Sequence, residues 1–522
     1  MDAMLNGVPP LRHYQPLRLE KLALDAIAGY VKLVSLHLLT EEDQSSRPHK
    51  RKERSRFRNL LRLYMKISDK QIQKLVEDSK PSFDRGKYLD SATHVCQRLQ
   101  QLFEEMVPPC TVNELTVILL DTVSKVINDK RSLADKMWAR NVLQDLVNTV
   151  IHPAVSRLRI THDLYYLGPM ICARLPALSN LEELDLLLVS DISDLRMLIG
   201  VIDACTEQLI MSAMQHLPRL KTFRFPCNCT DNIIFAVTRH CQHLERLNFH
   251  CSKVTDASID NIVTLRNLVE LNILRTSISL DACVLMLNTL ADKNVQLKSF
   301  GCSTVSHEVL TILVKKFPKL VTLNLAGLNC EFSLLSQLEY LQVLKLQSGI
   351  FTQILKFLTT AGHRLLSLEL ARILGTDIKL IGEKCTSLRR LVLRCCYTLP
   401  LQEIPAPLPG LVNLDSLSIH TKHDSALIIH ILSQCMNVRQ LTLITQTAVT
   451  FECIDQVLKR NPLKHLEELC LECHGQWMSR TVIALFLFHC TSLTVLKGAV
   501  TWRHSDEDVQ SLNAQYPGIR IY

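Results

Sequence analysis

The sequence predicts an α/β solenoid carried behind an α-helical N-terminal region, and three observations predict it. A short apolar block, Leu-x-x-Leu-x-Leu with aliphatic, aromatic or cysteine replacements, recurs from Leu181 to Gly498. The segments that follow the blocks change from alternating to helical apolar spacing. Residues before about 175 carry no such block but do carry helix-start signals.

The blocks read Leu181-Leu184-Leu186, Leu220-Phe223-Phe225, Leu244-Leu247-Phe249, Leu268-Leu271-Ile273 and Leu297-Phe300-Cys302. They continue as Leu320-Leu323-Leu325, Leu341-Leu344-Leu346, Leu365-Leu368-Leu370 and Leu388-Leu391-Leu393. The last are Leu414-Leu417-Ile419, Val438-Leu441-Leu443, Leu466-Leu469-Leu471 and Leu493-Leu496-Gly498, with Ile519-Arg520-Ile521 as a truncated closing strand. Most blocks lie 21 to 29 residues apart, the period of leucine-rich repeats. The last two apolar residues of a block are two apart, so they point to one side of a short strand and the residue between them points outward. Ile259, Ile262 and Val263, and again Ile428, Ile431 and Leu432, then take helical spacing. A strand–helix unit of this kind cannot bury its apolar side alone, so neighbours must stack.

Cysteine precedes several blocks, in Cys241-Gln242-His243-Leu244, Cys385-Thr386-Ser387-Leu388, Cys435-Met436-Asn437-Val438 and Cys490-Thr491-Ser492-Leu493. With Val254-Thr255-Asp256-Ala257-Ser258-Ile259, this resembles the cysteine-containing subclass of leucine-rich repeats, familiar from substrate-binding subunits of ubiquitin ligases. The resemblance implies a leucine-rich-repeat horseshoe of about 13 repeats over residues 175–522. The segment Leu399–Gly410, with four prolines, departs from it and reads as an extended loop in place of a helix.

Residues 59–174 read as a helical cap. Ser68-Asp69-Lys70-Gln71 and Thr111-Val112-Asn113-Glu114 are capping boxes. Val95, Leu99, Leu102, Phe103 and Met106 share a helical face, and a final helix runs from about Leu133 to Val150 and includes Trp138. Residues 1–40 hold a first helix, Pro16–Val31, in which Leu19, Ala23 and Ile27 are spaced by four with Leu22 beside them. This segment resembles the BC box with which elongin-type ubiquitin-ligase subunits dock on elongin C, Ala23 standing at the small position where cysteine is usual. PRAME-like proteins pair a similar helix with leucine-rich repeats. The resemblance implies adaptor-binding roles for Leu19, Leu22, Ala23 and Ile27. Two alternatives stand beside it: a degenerate F-box start that would bind a Skp-type adaptor, and simple packing of these residues into the cap.

Composition sets the outer bounds. A chain of 522 residues is too long for a single compact core. Hydrophobic residues at 47% and charged residues at 21% are globular values. The net charge of +8 is local, because residues 47–58 hold seven Lys/Arg and one Glu. The stretch 41–58 therefore reads as a basic charged linker, with a nuclear-import signal or nucleic-acid contact as sharper readings. Neither a signal peptide nor an apolar run of the roughly 20 residues needed to span a bilayer is visible. Nineteen cysteines that follow the repeat read as reduced thiols. A cytoplasmic or nuclear protein with no membrane association and no broad nucleic-acid-binding face is the expectation.

Motifs that could carry chemistry are few. Cys470-Leu471-Glu472-Cys473-His474 has the spacing of covalent haem attachment. However, Cys470 falls on an outward strand position and Cys473 is expected in the following turn. Cys227-Asn228-Cys229 and Cys395-Cys396 occupy the equivalent turn elsewhere, with no second pair at zinc spacing. No phosphate-binding loop, nucleophile elbow or dinucleotide turn is present. The sequence thus predicts no enzyme, no cofactor and no metal.

The outward strand positions are the natural ligand surface, since in a solenoid they line the inner curve. Candidate substrate-binding residues there are Arg224, Arg246, Asn248, Arg389, Arg390, Arg394, Arg439 and Glu468. The guanidinium groups suit an acidic or phosphorylated segment, while ordinary solubilising charge explains them equally well. The functional expectation is a protein-binding repeat protein: the substrate-recognition subunit of a cullin-RING ubiquitin ligase, partnered by elongin B/C or a Skp-type adaptor. The alternative is a non-catalytic interaction scaffold or inhibitor.

Overall fold

The computed structural model describes residues 111–129, 143–160, 167–186 and, with short interruptions, 204–521, together with a few isolated positions before residue 101. The adaptor-docking residues Leu19, Leu22, Ala23 and Ile27 lie outside the described residues. So do the basic stretch 41–58, the Ser68 capping box, the face from Val95 to Met106, and Trp138. Two compact units are present, Met1–Leu244 and Glu245–Tyr522.

In the first unit, the helix Val112–Asn128 buries Leu115, Leu119, Leu120, Val123 and Ile127, the three-and-four spacing of one helical face. Its first turn departs from the capping-box expectation: Thr111 is itself in helical conformation and makes no side-chain cap bond. The side chain of Asn113 instead ties the helix to the sheet, accepting from the backbone N–H groups of Ser156 at 3.0 Å and Arg157 at 3.1 Å. Parallel strands β1 (Arg157–Arg159), β2 (Glu183–Asp185) and β3 (Thr222–Arg224) pair in that order. The ladder thus begins upstream of Leu181, at Val155-x-x-Leu158-x-Ile160, which keeps the block's spacing with all three side chains buried.

The second unit continues the pattern with β4 (Arg246–Asn248), β5 (Glu270–Asn272), β6 (Ser299–Cys302), β7 (Thr322–Ala326), β8 (Val343–Ile350) and β9 (Ser367–Thr376). Next come β10 (Arg390–Arg394), β11 (Tyr397–Thr398), β12 (Ser416–Thr421), β13 (Gln440–Thr445), β14 (Glu468–Cys473), β15 (Val495–Lys497) and β16 (Arg520–Ile521). From β4 to β16 each strand pairs parallel with the next; only β11 stands off the path, on the end of β9. The order is open and sequential, as successive strand–helix repeats require. β16 is the closing strand expected at Ile519–Ile521.

Register explains the core. Leu271, Phe300, Leu323, Leu344, Leu368, Leu391, Leu417, Leu441, Leu469 and Leu496 are in-register partners from strand to strand and all buried. Each such side chain withdrawn from water contributes roughly 1.5–3 kcal/mol. The return segments are helices started by side-chain caps: Thr230, Ser279, Ser306, Asp377 and Thr450 each accept a backbone N–H from the first turn. The proline-containing segment Leu399–Gly410 ends differently from the extended loop expected. Pro409 opens a single helical turn, Pro409–Val412, where its missing N–H costs nothing.

Two residues beyond several of the blocks the chain passes through the left-handed region, whereas at the same place after the β12, β13 and β14 blocks it is still strand. Cys251, Arg275, Ser348, Arg372 and Cys395 take φ between 49° and 59° there. At Gly498 φ is 104° and an added Cβ would run into the carbonyl of Leu471, so that turn requires glycine.

Candidate protein-binding surface

The residues between the buried leucines form rows along the solvent face of each ladder. In the second unit one row runs Asn248, Asn272, Gly301, Asn324, Lys345, Glu369, Val392, Ser418, Thr442, Cys470 and Lys497. The row two residues earlier holds Arg246, Glu270, Arg390, Gln440 and Glu468. Strands about 4.8 Å apart bring row neighbours within reach of one another, and opposite charges there pair across strands.

Glu369 is the clearest case. It is 8% exposed and its carboxylate meets Lys345 Nζ at 3.6 Å and Arg394 Nη1 at 3.3 Å, so one acid joins β8, β9 and β10. Arg389 lies just ahead of β10, where it faces Asp415 at 3.8 Å and donates to the Asn413 carbonyl at 3.3 Å. Arg439 pairs with Glu467 at 3.0 Å, and Glu468 with Lys497 at 3.4 Å. Arg390 is exposed, and no carboxylate among the described residues is within ion-pair distance of it. In the first unit, Asp185 stands between Arg159 at 3.7 Å and Arg224 at 4.0 Å. Burial raises its carboxyl pKa above the ordinary value, and the two guanidinium groups oppose that.

The candidate residues are therefore divided by the fold. Arg246, Asn248, Arg390, Arg394 and Glu468 stand on outward rows of the second unit, and Arg224 on the first unit's ladder. Arg389 and Arg439 sit one residue before their strands. Four of the arginines that looked available in the sequence, Arg224, Arg389, Arg394 and Arg439, are engaged by neighbouring carboxylates, because spacing along the chain does not reveal cross-strand partners. Asn248 is also occupied, its Oδ1 accepting the backbone N–H of His250 at 3.2 Å with His250 Nδ1 3.0 Å away. Burial, then the positive charges of Arg275 and Lys345, pull the His250 pKa down to about 4.

The cysteine motif resolves on geometry. Cys470 and Cys473 are both in β14, so the turn expected for Cys473 is still strand. Three residues apart on a strand, they face opposite sides: Cys470 is half-buried on the outward row with its thiol 3.5 Å from Glu472 Oε1, whereas Cys473 is in the core. One haem edge cannot reach both. The pre-block cysteines are structural. Cys241 caps the helix Asp231–His240 and its thiol reaches the carbonyls of Met214 at 3.9 Å and Leu217 at 3.6 Å in the preceding repeat. Burial pushes the thiols of Cys241, Cys385 and Cys490 up to about 12, which keeps them protonated as weak donors. Among the described residues no group of three His, Cys, Asp or Glu could hold a metal ion, and no helix is long and apolar enough to cross a membrane.

Successive parallel strands, a buried leucine ladder and a turn-and-helix return define a leucine-rich-repeat fold. The chain matches no protein-family model and no curated protein sequence. Among solved structures it is similar to a leucine-rich-repeat protein of Leptospira interrogans at 18% identity and TM-score 0.31, over 72% of this chain and 91% of that one. An internalin (InlF) of Listeria monocytogenes is similar at 14% identity and TM-score 0.27, over 73% and 88%. The ectodomain of the Arabidopsis thaliana receptor kinase GASSHO1/SCHENGEN3, in complex with Casparian strip integrity factor 2, is similar at 13% identity and TM-score 0.26, over 66% and 48%.

Proposed function

We propose that this chain binds a polypeptide on the solvent face of its repeat sheet and serves as a substrate-recognition subunit of a cullin-RING ubiquitin ligase. The observation that carries the binding half is the second unit's outward face. Its half-exposed polar and charged side chains, Arg390 and Gln440 among them, stand on rigid strands over a continuous leucine core. Such a face presents many weak contacts at fixed spacing, which suits an extended or folded polypeptide better than a small molecule enclosed in a pocket.

The ligase half rests on the resemblance of the segment Pro16–Val31 to an elongin-docking helix, with Leu19, Leu22, Ala23 and Ile27 as the contacts. In this reading the ligation chemistry belongs to partner proteins, and the chain works in cytoplasm or nucleus. A scaffold or inhibitor without ligase role is the second reading, favoured by the same face because that face needs no adaptor to hold a partner.

Co-purification separates the two. Elongin C should be recovered with the wild-type chain and lost with Leu19→Asp, while Arg390→Glu weakens substrate and leaves elongin C bound. Recovery of a Skp-type adaptor instead would assign the F-box alternative. Recovery of neither adaptor, with substrate still bound, would leave the scaffold reading.

A further inference from the structure

One stretch of the outward face presents uncharged hydrogen-bonding groups. Along β4, β5, β6 and β7 the in-register outward residues are Asn248, Asn272, Gly301 and Asn324. Backbone groups fix two of the three amides. Asn248 Oδ1 accepts the His250 N–H at 3.2 Å, and Asn272 Oδ1 accepts the Leu274 N–H at 3.1 Å. Each bond uses one end of the amide and leaves Nδ2 as its outer group. Asn324 buries its Oδ1 without a partner, which again leaves Nδ2 as the accessible end. Among the described residues none of the three Nδ2 groups donates a hydrogen bond, and none is buried.

His250 adds an acceptor. Asn248 Oδ1 can only accept, so the His250 Nδ1 at 3.0 Å from it carries the ring proton. Nε2 then holds a lone pair, and among the described residues it is neither buried nor bonded. Burial, then the charges of Arg275 and Lys345, disfavour a second proton on the ring and keep that lone pair available. Those two cations are themselves engaged, Lys345 by Glu369 and Arg275 by the Cys251 thiol. The array is thus three donors and one acceptor, none of them charged. A carboxylate brings only acceptors and would set its charge against the His250 lone pair. A peptide main chain brings carbonyls and N–H groups together, which complements both kinds of group.

Spacing points to the same ligand. With strands about 4.8 Å apart, Asn248 and Asn324 stand about 14 Å apart, three strand intervals. Asn272 leans across β6, where a Cβ added to Gly301 would collide with its Oδ1. Its amide therefore lies near the middle of the span, about 7 Å from each of the other two. Alternate carbonyls of an extended chain also recur at about 7 Å. We propose that Asn248, Asn272 and Asn324 form a track for the main chain of an extended polypeptide segment lying across β4 to β7. Their Nδ2 groups donate to its alternate carbonyls, and His250 Nε2 accepts one of its N–H groups. Gly301 sets the spacing, since a side chain there would push Asn272 aside. This rests on the polypeptide-binding reading above and gives it a place and a mode of recognition.

The test selects random phage-displayed peptides on the full chain and titrates the winners against two variants, each first matched to wild type in circular dichroism and melting temperature. Asn248→Asp/Asn272→Asp keeps the oxygens that accept the His250 and Leu274 N–H groups and removes both donors. Gly301→Ala adds no charge and displaces Asn272. A scan that needs no variant replaces each peptide bond of a winner with an ester, which deletes its N–H and weakens its carbonyl. The Asp double variant should lose about tenfold or more in affinity, and Gly301→Ala should weaken the same winners. Losses in the ester scan should fall at every second residue over about five residues. Winners that bind both variants as well as wild type, or an ester scan without alternation, would overturn the track and leave the broader reading standing. Selection of no peptide would also overturn the track alone, because the broader reading admits a folded partner.

Discussion

Replacing Asn461 with alanine should loosen one repeat more than replacing any exposed charge on the sheet. Asn461 is 2% exposed and caps the helix Phe451–Arg460. Its Nδ2 donates to the Leu432 carbonyl at 2.7 Å and the Cys435 carbonyl at 2.9 Å, and its Oδ1 accepts from the Leu463 N–H at 3.2 Å. Leu463 holds φ at 50°, so that bond also supports a left-handed residue. Three hydrogen bonds at about 1 kcal/mol each, plus the cost of leaving buried backbone groups without partners, give a loss on the order of 3–5 kcal/mol. Cys241 makes the corresponding reach to the preceding repeat from the same helix-capping place, at the longer distances of a thiol. Asn461→Cys should accordingly lose less than Asn461→Ala. Urea denaturation combined with amide exchange at Leu463 measures both, the exchange rate reporting the local repeat even where the array unfolds in stages. A loss below about 1 kcal/mol for alanine, or a cysteine variant weaker than the alanine one, would refute the role assigned to these caps.

Three further outcomes are expected. Glu369→Gln leaves Lys345 and Arg394 without their shared charge and should cost roughly 1–3 kcal/mol in urea denaturation, with Lys345→Met/Glu369→Gln/Arg394→Met recovering most of it. Gly498→Ala forces a Cβ onto the Leu471 carbonyl at positive φ, so melting should fall and exchange at β15 and β16 should quicken before the rest. His250, with its pKa pulled from 6.5 down to about 4, takes up its proton more readily when unfolded. Its contribution is full above pH about 6.5 and is lost as pH falls toward 4, by up to roughly 3 kcal/mol, and His250→Gln should flatten that part of the stability profile.

The period of the leucines made the strand–helix repeat legible before any coordinates, because a two-residue apolar alternation at a fixed interval has few other physical solutions. Leu323, Leu344, Leu368 and Leu391 are buried in register as that reasoning requires. Less legible was the first strand, where Val155, Leu158 and Ile160 carry the spacing but sit among helices. The cap at Thr111 misled because a Thr-x-x-Glu pattern says nothing of the backbone angle that decides whether the hydroxyl can reach the N–H groups. The surface was hardest to read. Arg389, Arg394 and Arg439 owe their states to Asp415, Glu369 and Glu467, which lie 26, 25 and 28 residues away in sequence and are brought close only by parallel register. Exposure of Leu374 and Tyr397 was equally hidden, since it arises from strands that run past their turn rather than from the block itself.

The central claim is that a partner polypeptide lies on the strand rows and not on the helical side of the repeats. Photo-crosslinking residues placed singly at Ser418, Thr442 and Lys459 put it to test, the first two on outward strand positions and the third exposed on the helix Phe451–Arg460. The account predicts adducts to the bound partner from Ser418 and Thr442 and none from Lys459. Adducts from Lys459 alone would contradict it.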